Sequence, residues 1–167
     1  GPTPRTAMAA DTRGVGQLVS AALARGAGRI VVGLGGSATT DGGSGLVEAL
    51  GGTTQAAARL RDIDLVAASD VENPLLGPLG AAAVFGPQKG ADDVTVARLE
   101  ERMTQWSRVL SSMAGRDISG DAGAGAAGGL GAALLALGAR RVSGATLVAE
   151  ATDLATDVAA ADPVSYT

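Results

Sequence analysis

Few groups in this 167-residue chain can do chemistry. Histidine and cysteine are both absent. That removes histidine bases, the Ser-His-Asp triad, His-rich zinc sites, disulfides and thiolate metal sites. Carboxylates, hydroxyls, amides, arginines, one tyrosine, one lysine or a bound metal must carry any reaction. The densest set of such groups lies in Val31 to Gly45, VVGLGGSATTDGGSG. It starts as a buried strand and dissolves into glycines. Clustered glycines cost conformational entropy unless the backbone needs unusual angles or a ligand must come close. Successive backbone N–H groups at a strand-to-helix turn form a concave anion site. Gly35, Gly36 and Ser37 are therefore expected to hold an anion, a phosphate, with Thr39 and Thr40 adding hydroxyl donors. Asp41 is the odd member, since a carboxylate beside phosphates repels them unless a cation sits between. It is expected to hold Mg²⁺ or to accept a proton from a substrate hydroxyl. The plainer reading is a tight turn with Asp41 as a helix cap.

Asp70 follows a second apolar run. In open α/β sheets ligands gather beyond the carboxyl ends of strands, so Asp70 and Asp41 are expected to converge in one cleft and to share a metal. The alternative makes Asp70 a turn cap and Asn73 a helix cap. Lys89, the lone lysine, sits between turn formers in FGPQKGA. A compact ammonium suits a phosphate oxygen; a solvated loop lysine is the plain alternative. Asp41, Asp70 and Lys89 form the candidate catalytic set. Asn73 and Gln88 join Gly35, Gly36, Ser37, Thr39 and Thr40 as candidate phosphate- or substrate-binding residues.

Two better-known phosphate motifs do not fit. Gly33, Gly35 and Ala38 satisfy the dinucleotide fingerprint, but Thr39 to Gly43 keeps the chain open where a helix should run, and no carboxylate follows at a strand end about 20 residues on. The phosphate-loop pattern fails because no lysine closes it.

Composition narrows the partners. The net charge is −4 and only 2% of residues are aromatic, so a basic stacking surface for nucleic acid is not expected. No apolar run reaches the roughly 20 residues of a membrane span, and no signal-like core opens the chain. A cytoplasmic protein that takes a small molecule, with oligomerisation open, is the resulting expectation.

The positioning elements read as α/β. Asp11 or Thr12 caps a helix carrying Val15, Leu18, Val19, Ala22 and Leu23 and stopped by Gly26. Arg29 to Leu34 and Ile63 to Ala68 are continuous apolar strands of the kind buried in parallel sheets. Helices are expected over Gly45 to Leu50 and Thr53 to Arg61. Asn73-Pro74 suits a helix start, and Ala81 to Phe85 fits a third strand or the end of that helix. Asp92 or Asp93 caps the clearest helix, with an apolar stripe of Val96, Leu99, Met103, Trp106 and Leu110. The glycine-rich zone Gly115 to Gly131 reads as tight packing, a second ligand loop or a linker, and feeds the apolar helix Ala132 to Leu137. Leu147 to Ala161 is expected to be helical with a break near Asp153, and Val164 to Tyr166 to begin a strand.

Taken together, GLGGSATTDGGSG, SDVENPLLGPLGAAAVFGPQKGA and GAGAAGGLGAALLAL, in this order, resemble the glycerate kinase family from about Thr12 to Pro163. The resemblance implies a two-lobed α/β fold and phosphorylation of glycerate from ATP with Mg²⁺, giving a 2- or 3-phosphoglycerate. On this reading residues 1–167 are a single α/β region, the central part of a two-domain kinase, with a parallel or mixed sheet flanked by helices. Family members are more than twice as long, with motifs preceding Gly1 and an acidic glycine-rich motif beyond Thr167. The span from Leu50 to Asp70 is shorter than in relatives, after Gly52 and near Asp64, and Ser69 stands where Cys is common. The alternatives are an anion- or nucleotide-binding module without catalysis, or a fragment that needs the further segments.

Overall fold

A computed structural model describes residues 1–161. Its centre is a three-stranded, wholly parallel sheet in the order β1-β2-β3. The strands are β1 (Arg29–Gly33), β2 (Asp64–Ala68) and β3 (Arg140–Val142). Val31 pairs with Val66, and Val66 with Arg140. Successive strand residues face opposite sides of a sheet. Ile30, Val32, Leu65 and Ala67 therefore share one side, and all four join the core. On the other side Val31 is 48% exposed, and helix α8 (Gly144–Ala151) brings Leu147 and Val148 beside it.

Helices α1 (Pro4–Ala9) and α2 (Arg13–Ala24) precede the sheet. Thr12 starts α2, but its hydroxyl does not cap the helix and is used elsewhere. Gly16 of α2 lets it lie on α3 (Ser44–Ala49), since a Cβ there would fall 2.7 Å from the Leu46 carbonyl oxygen. Helix α4 (Thr53–Leu60) follows α3 directly through Gly51-Gly52. The segment Ala81–Phe85, open between strand and helix in the sequence, is helix α5. No helix begins at Asn73-Pro74. The backbone there is tied into a loop instead: Gly125 N donates to Asn73 O, Leu75 N to Ser119 O, and the Asn73 amide to Leu79 O. Pro87–Lys89 is one 3-10 turn.

Helix α6 (Asp93–Ala114) is the long support of the molecule. Asp92 caps it, accepting from Thr95 N at 2.8 Å, and Gly115 ends it at a φ of 71°. Leu99, Met103 and Leu110 are fully buried along its inner face, while Val96 and Trp106 are half-buried against the core. Helix α7 (Ala126–Ala136) begins with three residues of positive φ, Ala127 to Gly129. The second glycine zone packs closely: a Cβ on Gly128 would overlap the Thr39 carbonyl oxygen. Helices α8 and α9 (Leu154–Ala160) are separated by Asp153 at a φ of 51°, where the sequence places the break. The expected strand Val164 to Tyr166 lies outside the described residues.

Candidate active site

The site forms where β1 ends. Leu34 N still pairs with Ala68 O at 2.9 Å, and the chain then leaves the sheet. Gly35 and Gly36 are exposed with open space where a Cβ would stand, and Gly36 takes a φ of 64°. Among the described residues nothing accepts a hydrogen bond from the N–H groups of Gly35, Gly36 or Ser37. These donors line a cleft of about 380 Å³ together with Leu34, Val71, Phe85, Gln88, Lys89 and Ala127. The expected cradle and the expected lysine thus meet in one cavity.

Lys89 is only 7% exposed. Its Nζ donates to Thr39 O at 2.6 Å. Burial pushes its pKa down from 10.5 to about 8, and the negative charge of Asp41 opposes that fall. A half-desolvated ammonium at the wall of a cleft is a strong attractor for an anion, because little water is left to screen it.

Behind the cleft the loop is tightly held. Asp41 is 4% exposed. Its Oδ2 accepts from Thr12 N at 2.8 Å, from the Thr12 hydroxyl at 2.8 Å and from Gly45 N at 3.0 Å, and its Oδ1 accepts from Gly43 N at 3.2 Å. The Thr12 hydroxyl in turn accepts from Leu46 N at 2.9 Å. The carboxylate therefore ties the start of α2 to the start of α3. A ring of N–H and O–H donors neutralises it and leaves poor access for a cation. Thr40 is fully buried, beyond the reach of a ligand in the cleft, and Thr39 contributes its carbonyl to Lys89.

Asp70 has a partner of its own. Neither carboxylate lines the cleft. Asp70 is exposed at the carboxyl end of β2, next to Val71 of the cleft wall, and its Oδ1 accepts from Gly144 N at 3.2 Å. Among the described residues no three carboxylates cluster as a metal site. Mg²⁺ is usually bound through one or two carboxylates together with substrate phosphates, and Asp70 is the carboxylate of the candidate pair with a free oxygen. The cleft thus brings together the glycine loop and Lys89 but is lined by neither carboxylate. The charge of Asp41 faces backbone donors instead.

Three participants escape sequence reasoning. Ala127 lines the cleft in a left-handed conformation that costs a residue with a Cβ roughly 1–2 kcal/mol. Arg102 donates from Nη2 to Thr40 O at 2.6 Å, and Trp106 from Nε1 to Gly42 O at 2.9 Å. Nothing in the primary pattern marks Arg102 and Trp106, because α6 reads there as an ordinary amphipathic helix, and Ala127 is one alanine in a Gly/Ala run.

A parallel sheet flanked by helices, with open amides at the end of a strand beside a buried lysine, places the chain among α/β proteins whose candidate site lies beyond the carboxyl end of a strand. The particular family follows from comparison. The chain matches the glycerate kinase family over residues 2–58 and 52–166, and it belongs to that family. It is 40% identical over 185 aligned positions to a glycerate kinase of Bacillus subtilis, covering 96% of this chain and 48% of that protein. It is 38% identical over 175 positions to a glycerate 2-kinase of Escherichia coli, covering 90% of this chain and 46% of that one. A crystal structure of a candidate glycerate kinase 2 from Salmonella typhimurium superposes with a TM-score of 0.78 at 38% identity, over 86% of this chain and 45% of the other. The chain spans less than half the length of these relatives. The two family matches overlap at residues 52–58, from Gly52 into α4, within the span that the sequence is expected to have shortened.

Proposed function

We propose that this chain supplies the phosphate-holding cleft of a glycerate kinase, which transfers the γ-phosphoryl group of ATP to a hydroxyl of glycerate. The observation that supports this is the pairing of unpartnered Gly35, Gly36 and Ser37 amides with the Lys89 ammonium across one cleft. In such a transfer the glycerate hydroxyl oxygen forms a bond to the γ-phosphorus. The bond from that phosphorus to the β–γ bridging oxygen breaks, ADP leaves with the electron pair, and the hydroxyl proton is lost. Phosphoryl transfer depends mainly on positioning and charge neutralisation. The Gly35–Ser37 amides would hold phosphate oxygens, or the glycerate carboxylate, at fixed distances. The Lys89 ammonium would balance charge on the transferring group. Gln88, beside Lys89 on the cleft wall, would donate to a ligand oxygen. Asp70, next to Val71 of the cleft wall, keeps Oδ2 outside any hydrogen bond among the described residues and would be the carboxylate to orient a hydroxyl. Asp41 would act as the anchor of the loop.

Phosphoglycerate formation from ATP and glycerate by the intact protein tests the reading. Lys89→Ala is expected to lower kcat/KM about 100-fold, the scale of one lost electrostatic contact to the transition state. Binding of nucleotide with no phosphoglycerate formed would instead make the chain a binding module. Turnover by Lys89→Ala within about threefold of the parent, under 1 kcal/mol of barrier, would remove the lysine from the mechanism.

A further inference from the structure

The glycine loop has two unlike halves. Its front, Gly35 to Ser37, offers amides to the cleft. At its back every carbonyl from Thr39 to Gly42 accepts a hydrogen bond. Thr39 O takes one from Lys89, Thr40 O from Arg102, Asp41 O from Ser44 N at 3.2 Å, and Gly42 O from Trp106. Two of these donors come from one helix. Residues four apart share a helix face, so Arg102 and Trp106 reach the loop side by side from α6. Arg102 also donates from Nη1 to Met8 O at 3.0 Å, which ties the same guanidinium to α1. The pyrrole edge of the indole packs against the loop: a Cβ on Gly42 would fall 2.6 Å from its Cδ1. Neither residue lines the cleft.

We propose that Arg102 and Trp106 are positioning residues for anion binding, holding the Thr40 and Gly42 carbonyls so that the front of the loop spans two fixed points. One point is Leu34, bonded to β2; the other is the clamped segment behind Thr39. Three residues with unpartnered amides and a glycine-rich backbone would otherwise wander, and an anion would have to order them on binding. With the back of the loop fixed, the donors are already aimed. This inference rests on the reading of the cleft as a phosphate site, and its test separates the two.

Binding of tripolyphosphate and of ADP is measured by calorimetry on the intact protein and on Arg102→Met, Arg102→Lys and Trp106→Phe. Amide hydrogen exchange is followed over residues 35–45. Arg102→Met is expected to weaken both anions about tenfold and Trp106→Phe about fivefold, since small misplacements of binding groups are costly. Arg102→Lys keeps one donor for Thr40 O and is expected to recover most of the loss. Exchange in the loop should speed up in Arg102→Met and Trp106→Phe while β2 stays protected. A purely structural role would not give rescue by lysine together with a change confined to the loop. Affinities of Arg102→Met and Trp106→Phe within about twofold of the parent would overturn the proposal. If Arg102→Met does not fold, Trp106→Phe, which keeps an aromatic ring but loses the N–H donor and part of the indole's bulk, decides alone. If the parent binds neither anion, the phosphate reading falls, and unaltered loop exchange in Trp106→Phe would then overturn the clamp as well.

Discussion

A buried carboxylate ringed by donors is bound to one charge and one geometry, and Asp41 shows what that does to a sequence motif. Its position in GGSATTDGG suggests a metal ligand or base. Its surroundings give it four hydrogen bonds and a place under the loop. Asp41→Asn would turn an NH₂ group toward N–H donors, or leave three of them competing for a neutral oxygen. The expected cost is about 3 kcal/mol of folding stability, the scale of buried charged hydrogen bonds left unmade. Denaturant unfolding checks it. A stable Asp41→Asn protein that has lost all turnover would return the residue to chemistry. Lys89 is the opposite case, a group whose burial tunes it for use. Burial pulls its pKa down to about 8. An anion in the cleft needs the protonated form, so ADP affinity should be flat below about pH 7.5 and should fall close to tenfold per unit well above pH 8. Calorimetry across that range is the measurement. Lys89→Arg, charged throughout, should bind with no such fall.

At the scale of elements, what could be read in the sequence follows how much of each element's reason is local. Strands β1 and β2 are continuous apolar runs, and α6 carries its cap, its stripe and its glycine stop in its own residues. These were legible. Strand β3 was not, because Arg140–Val142 is short and two of its three residues are arginine. It is a strand only because the edge of β2 accepts it, as in Ser69 N to Val142 O at 2.9 Å. Ala81–Phe85 has no periodicity to separate helix from strand, and the loop before it decides: Ala81 N bonds back to Leu75 O. The open, glycine-rich turn at Gly35 to Ser37 was legible, whereas the bonds from Arg102 and Trp106 to the loop were invisible, since which carbonyls a helix face meets is a tertiary fact. The junction of α3 with α7 shows the same dependence. Gly43 holds a φ of 78°, and a Cβ on it would overlap the Cβ of Ala133. Gly43→Ala therefore combines a left-handed backbone with overpacking and should cost about 3 kcal/mol or more. Thermal unfolding reads it. Ala133→Gly in the same chain should return part of the loss by removing the overlap.

For the molecule as a whole, the buried lysine links stability to pH. In the unfolded chain Lys89 is solvated and keeps its ordinary pKa near 10.5, while in the folded protein the value lies at about 8. Between those values the unfolded state holds a proton that the folded state has released. Stability rises with pH wherever the unfolded state binds more protons. The contribution of Lys89 is therefore unfavourable and constant below about pH 8. It is relieved progressively as pH climbs from about 8 toward 10.5. Carboxylates do not titrate in that window, and the chain contains neither cysteine nor histidine, so few other side chains obscure the effect. Arginines stay charged throughout. The test is a comparison of unfolding free energies for the parent and Lys89→Met from about pH 7 to 10. Their difference should change with pH in favour of the parent above pH 8 and stay level below it. Parallel curves across the whole range would mean that Lys89 keeps a solvated pKa in the folded protein, and the desolvated ammonium on which the proposed anion site depends would be lost with it.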